Sequence, residues 1–419
     1  MNRREAIRGL TCSAALFGLP AAAAGAKVRP LPGDDFFDDH PESFWNQLRD
    51  EQFVLPDERV FLNTGSLGVA PRPVLKAITD YLESAAALTT DEYYPRWGYE
   101  SLDEYRQELS QFLGCKKDEL ALVHNTTEAM SIIAGGMALK SGDEVLITDQ
   151  EHPGGRSPWR LREAKGEITV REVALPLTPD SPQQLVDVVI SAIGPNTRVL
   201  SFSGITSPTG LVMPIQEICD AAREKGVISV VDGAHMTGQI RFRIDDLHCD
   251  YFASSPHKWL FAPAGSGLLY IREDRLDGHY PVVVTADWND KGLKAGRFMR
   301  VGTNNRAIVV GLMAGLRFAG AIGHDRIYKR IHDLSKQVYA RASELPFIRM
   351  YTPDDDKMFA AMVTFHIKLS QAKLDGFWSR CEERSIFTTR YPHLRISTHV
   401  HTRQSDLDVF FETLREAAR

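Results

Sequence analysis

Apolar and polar positions follow two different periods within residues 71–271. Four segments have apolar residues every three to four positions, as amphipathic helices do: 74–88, 102–113, 183–193 and 215–225. Four short apolar runs have the length of buried strands: 120–123, 144–148, 199–202 and 227–231. This alternation predicts an α/β fold, with a mainly parallel sheet flanked by helices. Because ligands bind at the carboxyl ends of such strands, we expect functional residues directly after them.

The pattern changes after Arg306. The elements predicted there are a long Ala/Gly-rich helix at 307–322, a charged helical stretch to 345, strands at 360–367 and 394–397, and a final helix at 405–418. These elements predict a second, smaller α+β domain. The predicted divisions of the chain are a signal segment at 1–26, an N-terminal segment at 27–70 that packs with the small domain, a large domain at 71–306 and a small C-terminal domain at 307–419.

Composition narrows the class of partner. The chain has 419 residues, 43% of them hydrophobic, which is enough for one large core and a smaller domain. Its formal net charge is −6, and it has no Lys/Arg block. Both features argue against a nucleic-acid or anionic-membrane surface and favour a small-molecule substrate. The five cysteines show no CxxC spacing and indicate no metal site, although disulfides stay open.

The N-terminus has the order of a cleavable signal. Paired Arg3 and Arg4 precede an apolar run at 10–24, and small residues follow it. This order resembles a twin-arginine (Tat) export signal, although an ordinary basic N-terminus is the alternative. No other apolar run approaches the roughly 18–20 residues of a membrane helix. We therefore expect a periplasmic or secreted protein that uses the Tat export machinery and whose mature form has no membrane segment.

The chemistry centres on Lys258 and Asp232. Lys258 lies in the turn Ser255-Pro256-His257-Lys258-Trp259, and Asp232 ends the apolar run at 227–231. Pyridoxal 5'-phosphate (PLP) needs an imine-forming amine and a carboxylate for its pyridinium nitrogen, which these two residues can supply. Taken alone, each has a plain alternative: a surface lysine, and an Asp that starts a turn. Their pairing favours a PLP site.

Other residues after the strands complete this prediction. Thr126 and Thr127 follow the strand at 120–123 and open a helix, where free amides and hydroxyls can bind phosphate. Ser255 and His257 would add donors from the other side. His152 follows the strand at 144–148 and is placed to stack on the cofactor ring, although an exposed loop histidine is the alternative.

From about residue 61 to its C-terminus, the chain resembles the class V aminotransferase family of fold-type I PLP enzymes. The resemblance is strongest to the isopenicillin N epimerase-like and cysteine desulfurase-like members. The matching segments are Asn125-Thr126-Thr127-Glu128-Ala129, Glu151-His152, Asp232-Gly233-Ala234-His235, Ser255-Pro256-His257-Lys258, Gly302-Thr303-Asn304 and Leu394-Arg395-Ile396-Ser397. In this order they are highly specific.

The resemblance implies further roles for the site residues. Thr303 would reach the cofactor phosphate of the neighbouring subunit, because the family forms homodimers with shared active sites. His235 stands near the ring hydroxyl, where relatives often carry Gln. Arg395 would bind the substrate carboxylate in a bidentate pair. Asn63 and Ser66 would line the substrate side.

The departures from the family bear on the reaction. Cysteine desulfurases need a nucleophilic Cys on a loop before the carboxylate-binding Arg, whereas 385–392 has none and Cys381 is predicted to lie in a helix. We therefore expect an enzyme acting at an amino-acid α-carbon that is not a typical desulfurase. An isopenicillin N epimerase-like reaction needs a second acid, for which His152 and His235 are candidates. Phe261, where such relatives often carry Tyr, counts against simple epimerisation.

Alternatives to epimerisation stay open. They are an aminotransferase, a C–S (β-elimination) lyase and, third, a non-catalytic binding module. The substrate is not predicted. The roles of Arg390 and of the segment at 93–97 are also open.

Overall fold

A computed structural model of the chain describes residues 29–87, 102–285, 287–390 and 393–419. The predicted signal segment at 1–26 and the segment at 93–97 lie outside the described residues. The prediction of export is therefore not addressed by the fold.

The described residues form helices and strands whose bounds follow in chain order. The helices are α1 (Asp34–Asp39), α2 (Pro41–Gln52), α3 (Arg72–Ala87), α4 (Asp103–Leu113), α5 (Thr126–Gly136), α6 (Pro153–Ala164), α7 (Pro182–Ser191), α8 (Ile215–Glu224), α9 (Ile244–Leu247), α10 (Glu273–Leu276), α11 (Ala307–Ile322), α12 (His324–Ser343), α13 (Gln371–Glu383) and α14 (Gln404–Ala418). The strands are β1 (Val60–Phe61), β2 (Leu120–Val123), β3 (Glu144–Thr148), β4 (Thr169–Val173), β5 (Thr197–Ser203), β6 (Ile228–Asp232), β7 (Tyr251–Ser254), β8 (Gly267–Ile271), β9 (Ile348–Met350), β10 (Met362–Ile367), β11 (Ile386–Phe387) and β12 (Leu394–Ser397).

Seven of these strands form one sheet, in the order β2-β8-β7-β6-β5-β3-β4. The pairs from β4 to β7 are parallel, whereas β8 is antiparallel to both of its neighbours. The central strands are buried on both faces, which explains why their sequences are continuous apolar runs. The prediction of an α/β fold with a mainly parallel sheet is confirmed.

A second core surrounds the three-stranded antiparallel sheet β12-β10-β9. Buried side chains of α13 and α14 pack in it, and α12 contributes from Leu334 onward. Strand β1 of the N-terminal segment pairs in parallel with β11 and adds Val60 and Leu62 to this core. The side chains of α2, by contrast, join the larger core, as do those of α11, which packs along α3. The exact division of the chain stays a prediction.

Side chains cap the two helices that begin at the carboxyl edge of the sheet after β2 and β3. Helix α5 begins at Thr126, three residues before the apolar run at 129, because the Asn125 side chain accepts a hydrogen bond from the Glu128 amide at 2.9 Å. His152 caps α6, with Pro153 as the first helical residue. Both caps place a helix N-terminus at the carboxyl edge of the sheet.

Among the described residues, no single helix has the length and hydropathy of a membrane span. Helices α11 and α12 meet that test only as a pair, across an 82° bend.

Candidate functional site

Four segments meet at the carboxyl edge of the large sheet. Asp232 ends β6, Ser255 follows β7, Thr126 opens α5 after β2, and His152 follows β3. Because β2 runs antiparallel to β8, and β8 antiparallel to β7, the end of β2 lies at the same edge as the end of β7. The structure therefore brings these sequence-predicted residues together.

Lys258 is the centre of the site. Its Nζ lies 3.1 Å from Nε2 of His235. Burial lowers the pKa of Lys258, Asp232 opposes this shift, and Arg395 adds a smaller lowering, which gives a net pKa of about 8. The site thus raises the fraction of neutral amine, the form that imine formation requires.

One carboxylate oxygen of Asp232 is hydrogen-bonded within the protein. Its Oδ1 accepts a hydrogen bond from the Ala234 amide at 3.0 Å, whereas Oδ2 faces the α-carbon of Gly155. Burial raises the pKa of Asp232, and the nearby Lys258 opposes that shift. A cationic ring nitrogen beside Oδ2 would stabilise the carboxylate, which is the role predicted from the sequence.

The first turn of α5 is joined to the lysine turn. The Thr126 amide donates to Oγ of Ser255 at 3.0 Å, and the two side-chain oxygens are 2.8 Å apart. The amides of this turn have no acceptor within the helix, and the helix dipole favours an anion there. This arrangement provides backbone and hydroxyl donors for a phosphate.

His257, directly before the lysine, is held by a backbone carbonyl group. Its Nδ1 lies 2.8 Å from the Ser266 carbonyl oxygen, so Nδ1 carries a proton and donates. Burial lowers the pKa of His257, which leaves Nε2 without a proton in the neutral ring. A phosphate contact from Nε2 therefore requires a second proton, which a phosphate dianion would favour.

His152 is held by its own capping bond. Its Nδ1 accepts a hydrogen bond from the Gly154 amide at 3.0 Å. His152 is exposed as a whole, but partial burial of its ring, then the positive charges of Lys258 and Arg395, lower its pKa. The ring is therefore a neutral imidazole with its proton on Nε2, a suitable group for stacking on a cofactor ring.

Arg395 on β12 is the buried cation of the site. Its Nη1 donates to the carbonyl oxygen of Ser207, and its Nη2 lies 3.3 Å from Oγ of Ser66 and 3.3 Å from Oγ1 of Thr389. Its Nε has no hydrogen-bond partner. Among the described residues Arg395 forms no ion pair, and burial alone lowers its pKa to about 10. Such a cation is poised to take an anionic ligand.

Asn63 orders the hydroxyl groups around Arg395. Its Oδ1 accepts from Oγ of Ser66 at 2.8 Å and from Oγ1 of Thr389 at 2.6 Å. Gly68, in the same segment, donates its amide to the His257 carbonyl at 3.0 Å. A Cβ at Gly68 would lie 2.1 Å from the Lys258 carbonyl oxygen, so only glycine allows this approach.

Three further residues singled out from the sequence have surroundings of their own. Thr303 is exposed in the turn before α11, where a second subunit could reach it. Arg390 is exposed, pairs with Glu382 at 2.9 Å and lies over the Trp378 ring. Cys381 is buried within α13, and burial raises its thiol pKa to about 12.

The sequence prediction gave no role to Glu151, Trp259 or Ser207. Glu151 is buried, and its carboxylate accepts hydrogen bonds from Thr148 and Ser203. Burial raises its pKa to about 7 in spite of these bonds, and Asp232 adds to the rise. Its position shortly after the buried strand β3 was the feature of the sequence that could have identified it as a site residue.

The residues present fit PLP. Two glycines open α6 beside the groups that its phosphate and ring nitrogen need. A Cβ on Gly154 would lie 2.3 Å from Oγ1 of Thr127, and one on Gly155 would lie 2.8 Å from Oδ2 of Asp232. A side chain at either position would cover these groups. Among the described residues, no cluster of His, Cys, Asp and Glu could hold a metal ion.

Comparisons with known proteins identify the family of the chain. The family profile described as aminotransferase class-V matches residues 60–386. Isopenicillin N epimerase of Amycolatopsis lactamdurans is 31% identical over 400 residues, which cover 90% of this chain and 99% of that protein. A probable cysteine desulfurase of Methanothermobacter thermautotrophicus is 28% identical over 320 residues, covering 74% of this chain and 78% of that protein.

A solved structure shares the fold. It is the complex between the cystine C–S lyase C-DES and its reaction product cysteine persulfide, with a TM-score of 0.76 and 25% sequence identity. The match covers 86% of this chain and 98% of that one.

Proposed function

This chain belongs to the aminotransferase class-V family, and from that membership we propose that it acts at the α-carbon of an amino acid, in an isopenicillin N epimerase-like reaction. Its fold is that of fold-type I PLP enzymes, and its cofactor is PLP. The observation that carries the proposal is the presence of two cationic side chains near each other in the site, the half-buried Lys258 and the buried Arg395. Lys258 has a lowered pKa beside Asp232, and Arg395 has no carboxylate partner among the described residues.

Different residues would hold the phosphate, the ring and the ring nitrogen of the cofactor. Those for the phosphate are Thr126, Thr127, Ser255 and His257. His152 would stack on the ring, and Asp232 would keep a proton on the ring nitrogen. When bound, PLP supplies an electron sink for the pair left at the substrate α-carbon.

The protein's own groups would handle the substrate. Arg395 would hold the α-carboxylate, with Ser66 and Asn63 beside it. Lys258, neutral and next to His235, would bind the cofactor through its amine and carry the α-proton. The hydroxyls of Ser66 and Thr389 would help to hold the Arg395 guanidinium in place for the carboxylate.

A second candidate function is an aminotransferase or a C–S lyase. Inversion at the α-carbon needs a second proton carrier opposite Lys258. The two candidate imidazoles, His152 and His235, both use Nδ1 to accept a hydrogen bond within the protein. Each would have to give up that bond to become an imidazolium. This observation favours reactions in which Lys258 alone carries the proton.

We also propose that the chain is not a typical cysteine desulfurase. The loop at 385–390 has no cysteine, and Cys381 is buried in a helix with a raised pKa. A thiol held in this way is a poor nucleophile. A non-catalytic binding module has the least support, because Lys258, Asp232 and Arg395 are all in place.

The test is a stereochemical one. The PLP-loaded protein is incubated with a panel of L-amino acids in D₂O and followed by NMR, with Lys258→Ala as the control. Deuterium at the α-carbon with inversion supports epimerisation. Keto-acid formation supports transamination, and keto acid released with sulfide or ammonia supports β-elimination. Absence of α-exchange with every amino acid contradicts the proposal.

We propose that the enzyme is a homodimer with shared sites. An exposed apolar segment lies near the turn that carries Thr303; its members are Tyr280, Val282, Val283, Val284 and Trp288, each between 41% and 61% exposed. Exposed apolar residues in one segment are typical of an interface. Light scattering should give a dimer. Mixing Lys258→Ala with Thr303→Ala subunits should restore part of the activity, and a monomer would contradict the proposal.

Export by the Tat route remains our proposal for residues 1–26. It rests on Arg3 and Arg4 before an apolar run. Cell fractionation should find the PLP-loaded protein outside the cytoplasm, and changing both arginines to lysine should retain it inside. Equal distribution of both forms would contradict the proposal.

A further inference from the structure

Trp259 lies directly behind the lysine of the site. Its side chain is fully buried, and its Nε1 donates to Nδ1 of His235 at 3.3 Å. Its carbonyl oxygen lies 3.1 Å from Nε2 of His399, whose ring stacks on the indole. Trp259 is therefore held from both sides, and its N–H has a fixed direction.

This hydrogen bond determines the tautomer of His235. An indole N–H can only donate, so Nδ1 of His235 must be the acceptor. A neutral imidazole carries its single proton on the other nitrogen. That nitrogen, Nε2, is the one that lies 3.1 Å from Nζ of Lys258.

The tautomer sets the direction of the contact with Lys258. A protonated Nε2 donates, and it needs a lone pair on the lysine nitrogen. A neutral amine has this lone pair, whereas an ammonium group has none. The contact between His235 and Lys258 is therefore compatible with the neutral amine and unfavourable for the ammonium.

The charged groups around the pair bear on the same equilibrium. Burial, then the charges of Lys258 and Arg395, keep the pKa of His235 well below its usual value, and His152 adds a smaller effect. Asp232 is the group that favours the ammonium form of Lys258. An Nε2–H directed at Nζ counteracts this carboxylate.

We propose that Trp259 is a positioning residue that fixes the tautomer of His235 and, through it, favours the neutral form of the Lys258 amine. The inference rests on the proposed function only for the role of Lys258 as the cofactor-binding amine. The same arrangement of hydrogen bonds could also form with a glutamine in place of His235. A Gln side chain can accept from the indole with its oxygen and donate to the amine with its nitrogen.

The first test reads the tautomer directly. The full chain is labelled with [¹⁵N]histidine, freed of cofactor and shown to be folded by circular dichroism and by recovery of PLP binding. Long-range ¹H–¹⁵N spectra should show His235 as the Nε2–H tautomer from pH 6 to 9. In Trp259→Phe the Nδ1–H tautomer should appear. A His235 ring protonated at Nδ1 in the wild-type protein would overturn the proposal.

The second test reads the lysine. A small amine-reactive reagent labels Lys258 in the same cofactor-free protein. The labelling rate is followed against pH by peptide mass spectrometry. Trp259→Phe lets Nε2 accept from the ammonium, so the pKa of Lys258 should rise by about one unit, which is roughly a tenfold smaller neutral fraction at pH 7. His235→Gln should keep the wild-type profile.

A matched control is available in Trp159. It is also fully buried, and its Nε1 donates to Oγ of Ser201 at 3.1 Å, away from His235. Trp159→Phe loses comparable packing and one indole hydrogen bond, so the Lys258 profile should not move. Equal shifts in both variants, or no shift in folded Trp259→Phe, would overturn the proposal.

These measurements separate the inference from the proposed function. If Trp259→Phe does not fold, the tautomer in the wild-type protein and the profile of His235→Gln still decide. None of the readouts requires turnover, so failure of the chain to act on amino acids would leave the tautomer result intact.

Discussion

Replacing Arg395 with methionine should abolish recognition of the substrate carboxylate while keeping the shape of the side chain. The guanidinium is buried and lacks an anionic partner among the described residues. Its pKa falls from 12.5 to about 10, which corresponds to about 3 kcal/mol of lost solvation. A carboxylate that pairs with it recovers this energy.

The expected effect follows from the hydrogen bonds that a carboxylate can form. Each bond to a charged group contributes about 1.5–3 kcal/mol, and a bidentate pair has two. Arg395→Met should therefore lower kcat/KM by roughly 10²–10⁴-fold. Arg395→Lys keeps one donor direction and should lose about 10–150-fold.

The assay compares an amino acid with its carboxamide in both variants and in the wild-type protein. Arg390→Met is the matched control, because Arg390 is exposed and paired with Glu382, and it should change kcat/KM less than threefold. The carboxamide should be nearly insensitive to Arg395→Met. If kcat/KM for the amino acid changed less than threefold in Arg395→Met, or if the carboxamide lost as much as the acid, the reasoning would be refuted.

Three further predictions concern Lys258, Gly68 and Glu151. Borohydride should fix PLP covalently to the wild-type chain and not to Lys258→Ala, as read by intact mass; retention of the label in the variant would assign the amine elsewhere. Gly68→Ala should lower the free energy of unfolding by about 1–3 kcal/mol in urea, because its Cβ would meet the Lys258 carbonyl, while Gly33→Ala, which meets nothing, should not. Glu151 has a pKa raised to about 7 from 4.5 in the unfolded chain, so the folded state binds more protons between these values. The stability of the wild-type protein relative to Glu151→Gln should therefore fall by up to about 3 kcal/mol as pH rises from 4.5 through 7, and a flat difference would contradict the raised pKa.

Six of the twelve described strands were predicted from the sequence, namely β2, β3, β5, β6, β10 and β12, and the other six were not. Each of the predicted strands is a largely buried segment. Strands β2, β3 and β12 and helix α11 have the predicted bounds. Helix α5 begins earlier than the apolar run because Asn125 caps it, and a cap is a polar feature that the apolar period does not include. The antiparallel direction of β8 depends on which edge the chain returns to, which local patterns do not encode.

The site was predictable in its residue types and not in its contacts. Lys258 and Asp232 carry chemistry that a sequence displays directly. The bond from Arg395 to Ser207 joins positions 188 residues apart, and the bond from Trp259 to His235 depends on how two turns pack. Such pairs arise from tertiary structure, so the sequence gives no local signal for them.

The two cores supply different residues of the site. The residues that would hold PLP follow strands of the large sheet, whereas Arg395 lies on β12 of the second core, and the segment at 60–68 contacts both. Mutations in the second core can therefore alter how the substrate carboxylate is held without replacing the residues that would hold the cofactor. In evolutionary terms, the carboxylate contact and the cofactor contacts can be selected separately, because they belong to different cores.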